Sequence, residues 1–172
     1  MSRLFPYLFL IVLGVSCTKH QEESESEVEK SQWQDKFVDP QTLNGLDSGK
    51  TYLSVYSQIY SRTQHVTHAL TATVSLRNVS ETDTVYVSRA VYFNTHGHAI
   101  RSYFDEPVFI GPMETVEIVI QEVDMEGGTG GNFIFDWHAH KNADHPRFEC
   151  VMISTSGQQG LSFTTQGIEI NP

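Results

Sequence analysis

The sequence predicts an all-β domain, a sandwich of two antiparallel sheets built from about eight or nine short strands. Three observations predict it. Leu70, Ala72, Val74 and Leu76 alternate with Thr71, Thr73, Ser75 and Arg77, the period of two of a strand with one buried and one wet face. From Thr51 onward, β-branched and aromatic runs are broken by polar or glycine-bearing turns at roughly 8 to 12 residue spacing. No window combines a helical period with capping residues.

The start of the chain stands apart from that pattern. Arg3 gives a short positive region and Leu4 to Val15 an apolar stretch. About 18 apolar residues are needed to span a bilayer, so residues 1–16 read as a cleaved export signal. Leu13-Gly14-Val15-Ser16-Cys17 resembles a bacterial lipobox, with Gly14 where leucine is usual. That resemblance implies that Cys17 is the lipidated first residue of the mature protein and the membrane its first partner. Gln21 to Lys30 reads Q-E-E-S-E-S-E-V-E-K and has almost nothing to bury, so it is expected to be a disordered, self-repelling tether. Residues 17–45 thus comprise the cysteine, the tether and a lead-in with scattered Trp33, Phe37 and Leu43, and residues 46–172 the sandwich. A domain of about 120 to 130 residues can bury its own core without staples.

Charge and cysteines narrow the functions. The formal net charge of -10 repels nucleic acid, which is excluded as a partner. Of two cysteines, lipidation of Cys17 leaves Cys150 alone. Phe148, Cys150 and Met152 share a strand face, which predicts a buried, inert thiol.

Taken in order, Tyr52 to Tyr60 reads as a strand and Val66 to Asn78 as the next. Val79 to Asp83 is a polar turn, and Thr84 to Asn94 a strand with Val85, Val87, Val91 and Phe93 in phase. Asn94-Thr95-His96-Gly97-His98 is a hairpin turn with its glycine centred. Ala99 to Phe104 leaves it, and Thr115 to Gln121 sets Val116, Ile118 and Ile120 against Glu117 and Val119. Gly127, Gly128, Gly130, Gly131 and Asn132 then form a sharply turning loop that feeds Phe133 to His138, the aromatic centre of the chain. Phe148 to Thr155 and Leu161 to Gln166 complete the set.

Several of these stretches together resemble a family of bacterial proteins catalogued as DUF3124. They are Val55 to Tyr60, Leu70 to Asn78, Gly127 to Trp137, Glu149 to Ile153 and Gln159 to Phe163, in this order, between about Gly49 and Gly167. The resemblance implies an exported domain and assigns no activity, substrate or cofactor. The layout from Leu70 to Ile120 is also similar to small immunoglobulin-like modules of bacterial envelope proteins, so the fold expected is an immunoglobulin-like antiparallel β-sandwich.

Three groups of residues are candidates for chemistry or contact. Asp136, His138 and His140 fall at i, i+2 and i+4 and project from one face if the strand continues; His96 and His98 form a second pair. Such imidazoles and a carboxylate suit zinc or copper, while exposed histidines without a ligand role are the competing reading. The glycine loop lacks the Lys-Ser/Thr of a P-loop and the G-x-G-x-x-G of a dinucleotide site, and Glu122, Asp124 and Glu126 before it repel phosphate. It reads as a structural turn. Tyr52, Tyr56 and Tyr60 share a face of the first strand, either as a contact surface or as ordinary packing. No nucleophile elbow is present, and no catalytic residue is assigned. The expected protein is a lipid-anchored component of the cell envelope, facing periplasm or cell surface, that binds or assembles with an envelope protein or glycan without a cofactor. The alternative is a metal-binding protein or metal-dependent enzyme using the Asp/His cluster.

Overall fold

A computed structural model of the chain describes residues 33–155 and 160–171. The expected signal, Cys17 and the acidic tether lie outside the described residues. Two short 3-10 turns, Gln34–Lys36 and Pro40–Leu43, lead into twelve strands. These are β1 (Asp47–Ser54), β2 (Gln58–Ser61), β3 (Thr63–Ala69), β4 (Thr71–Arg77), β5 (Val85–Phe93) and β6 (Ala99–Ser102). β7 (Val108–Ile110), β8 (Thr115–Ile120), β9 (Asn132–Ala139), β10 (Arg147–Ser154), β11 (Leu161–Gln166) and β12 (Ile168–Ile170) follow.

The larger sheet runs β12-β1-β9-β5-β6, with β7 also paired to β5, and the smaller runs β11-β10-β4-β8; every pairing is antiparallel. The chain is therefore the all-β sandwich that alternation predicts. The core lies between the two inner faces. Leu70, Ala72, Val74 and Leu76 are buried, as are Phe133, Phe135 and Trp137 from β9 and Phe148, Cys150 and Met152 from β10. The rings of Phe135 and Phe148 stack across the sheets at 4.4 Å. Burying each such ring contributes about 1.5–3 kcal/mol.

The strands outnumber the eight or nine expected because the runs Tyr52 to Tyr60 and Val66 to Asn78 are each broken in two, and Ile168–Ile170 forms a short strand that the periodicity does not mark. The chain leaves the larger sheet after Ser54: Val55 N–H donates to the Gly131 carbonyl at 2.9 Å, and Ser57 N–H to the Gly128 carbonyl at 3.2 Å. Bonding to the glycine loop replaces sheet pairing at that corner, and β2 starts afresh at Gln58. β2 and β3 form a separate two-stranded ribbon, turned by Arg62 at φ 62°. A second difference lies inside β5, where the register shifts between Val87 and Arg89. This bulge inserts one residue, so Ala90 and Tyr92 point inward while Val91 and Phe93 face out, opposite to the phase predicted. The lead-in is also packed: Trp33 is buried with its ring 5.2 Å from Phe104, and Phe37 bridges to Val108.

Candidate functional site

The outward positions of the larger sheet form three rows across its strands. In the first, Ile168, Tyr52, Ile134 and Val91 are successive cross-strand neighbours. The second sets Ile170, Lys50, Asp136 and Arg89 side by side. Ser48, His138, Tyr86 and Phe109 make the third. A charged row thus runs between two rows rich in aromatic and branched side chains.

The bulge builds the centre of this face. Both Ser88 and Arg89 are half-buried where an unbroken strand would turn one of them into the core. Ser88 Oγ lies 3.0 Å from His138 Nε2 and donates to the Asp136 carbonyl at 3.3 Å. Arg89 Nη1 reaches Asp136 Oδ2 at 3.5 Å, and Lys50 Nζ stands 3.8 Å from Oδ1 on the other side. Oδ1 itself is buried and has no hydrogen-bond partner. At these distances the two cations hold Asp136 by charge and keep spare N–H donors. Burial pushes the His138 pKa below the usual histidine value, and the Asp136 charge opposes that shift only in part. His138 is therefore a neutral imidazole at pH 7.

Only part of the histidine group meets. Asp136 and His138 share the outer face of β9, as their spacing predicts, but β9 ends at Ala139 and His140 lies exposed beyond it. His96 and His98 sit in the β5–β6 turn, at the opposite end of β9, because Phe93 pairs with Asn132. Six strand residues, about 20 Å, separate that end from His138. Among the described residues no three of His, Cys, Asp and Glu are grouped to hold a metal ion. The Asn94 side-chain oxygen instead accepts from the His96 and His98 N–H groups, each at 3.0 Å, which shapes the turn.

The glycine loop is fixed by close approach. A Cβ on Gly127 would lie 1.7 Å from the Tyr92 hydroxyl, and one on Gly131 2.8 Å from the Val55 carbonyl oxygen. Gly128 adopts φ 70°. Thr95 clasps the loop: its N–H and its hydroxyl both donate to the Gly127 carbonyl at 3.0 Å, and the hydroxyl accepts from Gly130 N–H at 2.9 Å. Asp124 and Glu126 turn to Arg101 at 2.8 and 3.5 Å. Burial disfavours the Arg101 cation, but Tyr103 and Asp124 more than offset it and raise its pKa. Below the loop, Tyr92 is fully buried; Ser57 lies beside its hydroxyl outside hydrogen-bonding geometry. Burial, opposed in part by Ser57, pushes Tyr92 up to about 12.

The three tyrosines do not share a surface. Tyr52 lies in the first row of the outer face, Tyr56 packs at the corner with its ring 6.0 Å from Phe163, and Tyr60 is exposed on the β2–β3 ribbon. Cys150 is buried, and desolvation pushes its thiol up to about 12, so it is no nucleophile at neutral pH. One feature the sequence did not announce is a cleft of about 340 Å³ lined by Thr51, His145, Arg147, Glu149, Gly167 and Glu169, among others. At its rim His145 Nδ1 is 2.8 Å from Glu169 Oε1 and its ring 4.5 Å from that of Trp137. Nothing in the strand periodicity could have brought the β9–β10 loop to β12.

Fold and surfaces together define an antiparallel β-sandwich domain that presents an ion-paired, aromatic sheet face. The family model described as "Protein of unknown function (DUF3124)" matches residues 48–170, and the chain belongs to that family. No curated protein matches it. A solved structure, "Crystal Structure of Thermotoga maritima 1070", aligns over 70% of this chain and 92% of that one at 10% identity and a TM-score of 0.42, a likeness too distant to carry an argument.

Proposed function

We propose that the chain is a lipid-anchored protein of the bacterial cell envelope, held to the membrane through acylated Cys17, whose sandwich is a non-catalytic binding or assembly module. One observation carries the binding role: the outer face of the larger sheet. An antiparallel sheet with one wet face normally alternates apolar-in with polar-out. Here Tyr52, Tyr86, Val91, Phe109, Ile134 and Ile168 occupy outward positions, with Lys50 and Arg89 among them keeping spare donors. Apolar and aromatic rows on either side of an ion-paired row with spare donors supply both the area and the orienting polar contacts of a protein interface. The partner that fits is an envelope protein offering a flat apolar surface with a carboxylate to meet Lys50 and Arg89. The anchor reading is supported by the apolar leader and the Ser16-Cys17 junction.

A photo-crosslinking residue at position 52, expressed in cells, tests the face. It should yield a discrete product that disappears with Ile134→Glu and persists with Thr73→Glu on the other sheet. A product indifferent to Ile134→Glu, or none at all, would sink the proposal. Metabolic labelling with a fatty-acid analogue should be lost in Cys17→Ser; retained label would rule out the anchor.

A further inference from the structure

The edges of the two sheets are not treated alike. An edge strand exposes a row of unpaired N–H and C=O groups, a template for another strand, and proteins blunt such edges by shortening, charging or covering them. The larger sheet ends in β12 on one side and in β6 and β7 on the other, strands of three or four residues. On the smaller sheet, β11 passes through Gly167 directly into β12, and Thr165 Oγ1 donates to the Ser54 carbonyl at 2.6 Å, so that side is tied to the larger sheet. β8 is different. It is six residues long, pairs only with β4 among the described strands, and reads T-V-E-I-V-I, with no proline, glycine or lysine.

Four large apolar side chains lie open around this edge, among polar and acidic neighbours. Met113 is 66% exposed, Val119 50%, Val123 81% and Met125 53%, all within β8 or its flanking turns. Another extended backbone can take the place of water along the free hydrogen-bonding row, and the fringe adds apolar surface to be covered with it. An edge pairing antiparallel with its own copy about a twofold axis is self-complementary by symmetry. Such pairing sets residues of the same face opposite each other, which leaves two central registers. Centring on Glu117 would place two carboxylates directly opposite, which is destabilising. Centring on Ile118 sets Val116 opposite Ile120 and Glu117 opposite Val119 of the second copy, so the apolar inner face continues and Glu117 meets no like charge. Glu114, level with Glu122 of the second copy just beyond the strand ends, is already paired to Lys36.

We infer that two copies of this chain join β8 to β8 in antiparallel register centred on Ile118, extending the four-stranded sheet to eight strands. This interface is independent of the outer face of the larger sheet. The register makes position 119 a charge probe. Val119→Glu would set a second carboxylate against Glu117 of the other copy twice per dimer, whereas Val119→Lys would give that carboxylate a cation to pair with. The measurement is sedimentation velocity over a roughly hundredfold range of protein concentration, on material from the full chain carrying Cys17→Ser. A concentration-dependent dimer is expected, weakened about tenfold by Val119→Glu and held or tightened by Val119→Lys. A monomer at every concentration overturns the inference. So does a dimer weakened equally by both substitutions, because an apolar patch without this register would not distinguish the sign of the charge. Val119 is half-exposed, so neither change disturbs the core.

Discussion

Gly127→Ala is the sharpest test of how the glycine loop is held. The backbone at Gly127 has φ -64° and ψ -30°, a conformation alanine adopts freely, so any cost is steric. The added Cβ would sit 1.7 Å from the Tyr92 hydroxyl and 2.5 Å from the ring carbon that bears it. Tyr92 cannot easily withdraw, being fully buried and stacked on Phe133 at 4.8 Å. If the ring yields, overpacking costs about 1–3 kcal/mol. If the loop yields instead, the two bonds from Thr95 to the Gly127 carbonyl are lost, at about 0.5–1.5 kcal/mol each. Either route, or a mixture, gives a destabilisation of about 2–4 kcal/mol. Gly130→Ala supplies the control. Its nearest contact would be 3.3 Å, to the Thr95 methyl, and its backbone is not left-handed. Lost unfolded-state entropy favours that alanine by about 0.4–1 kcal/mol, so its net effect is near zero. Urea denaturation should therefore separate two chemically identical substitutions three residues apart by about 2 kcal/mol or more. Equal midpoints for the two would refute the reasoning.

Other consequences can be checked with the same protein. Tyr92→Phe removes a buried hydroxyl with no hydrogen-bond partner and should stabilise the fold by about 1 kcal/mol in urea denaturation. The same substitution should flatten the alkaline limb of the stability curve. The phenol ionises near 10 when unfolded and near 12 when folded, so its contribution is whole below pH 10 and lost as pH rises towards 12. His138 has a depressed folded pKa, so its contribution is whole above about pH 6.5 and lost as pH falls below it. Asp136→Asn removes the charge that opposes the depression, and NMR titration should show the His138 pKa falling further. The Cys150 thiol should resist a thiol reagent at neutral pH in the native protein and react once urea unfolds it.

Much of the fold is legible in the sequence because strand alternation records burial directly. β4, the inner face of β9 and the Phe148, Cys150 and Met152 set of β10 read correctly from period two alone. The failures share a cause: tertiary bonds that leave no local mark. Val55 and Ser57 read as strand, since only their bonds to Gly131 and Gly128 turn the corner. Trp33 reads as part of a lead-in, since its pocket beside Phe104 comes from residues about seventy positions later. Asp136 and His138 share a face as their spacing says, but Ser88, Arg89 and Lys50 come to them from strands that no short window relates. Tyr52, Tyr56 and Tyr60 separate because their common phase assumed a straight strand where the chain bends.

The bulge at Ser88 sets a reading frame within a single strand. Before it, Val85 and Val87 face the core; after it, Ala90 and Tyr92 do. Deleting one residue there would invert the second half, sending the Tyr92 ring to solvent and Val91 and Phe93 inward. The glycine loop would lose the ring it packs on, although no loop residue had changed. Insertions and deletions near Ser88 should therefore be far scarcer among descendants of this sequence than substitutions, and any that survive should come in compensating pairs.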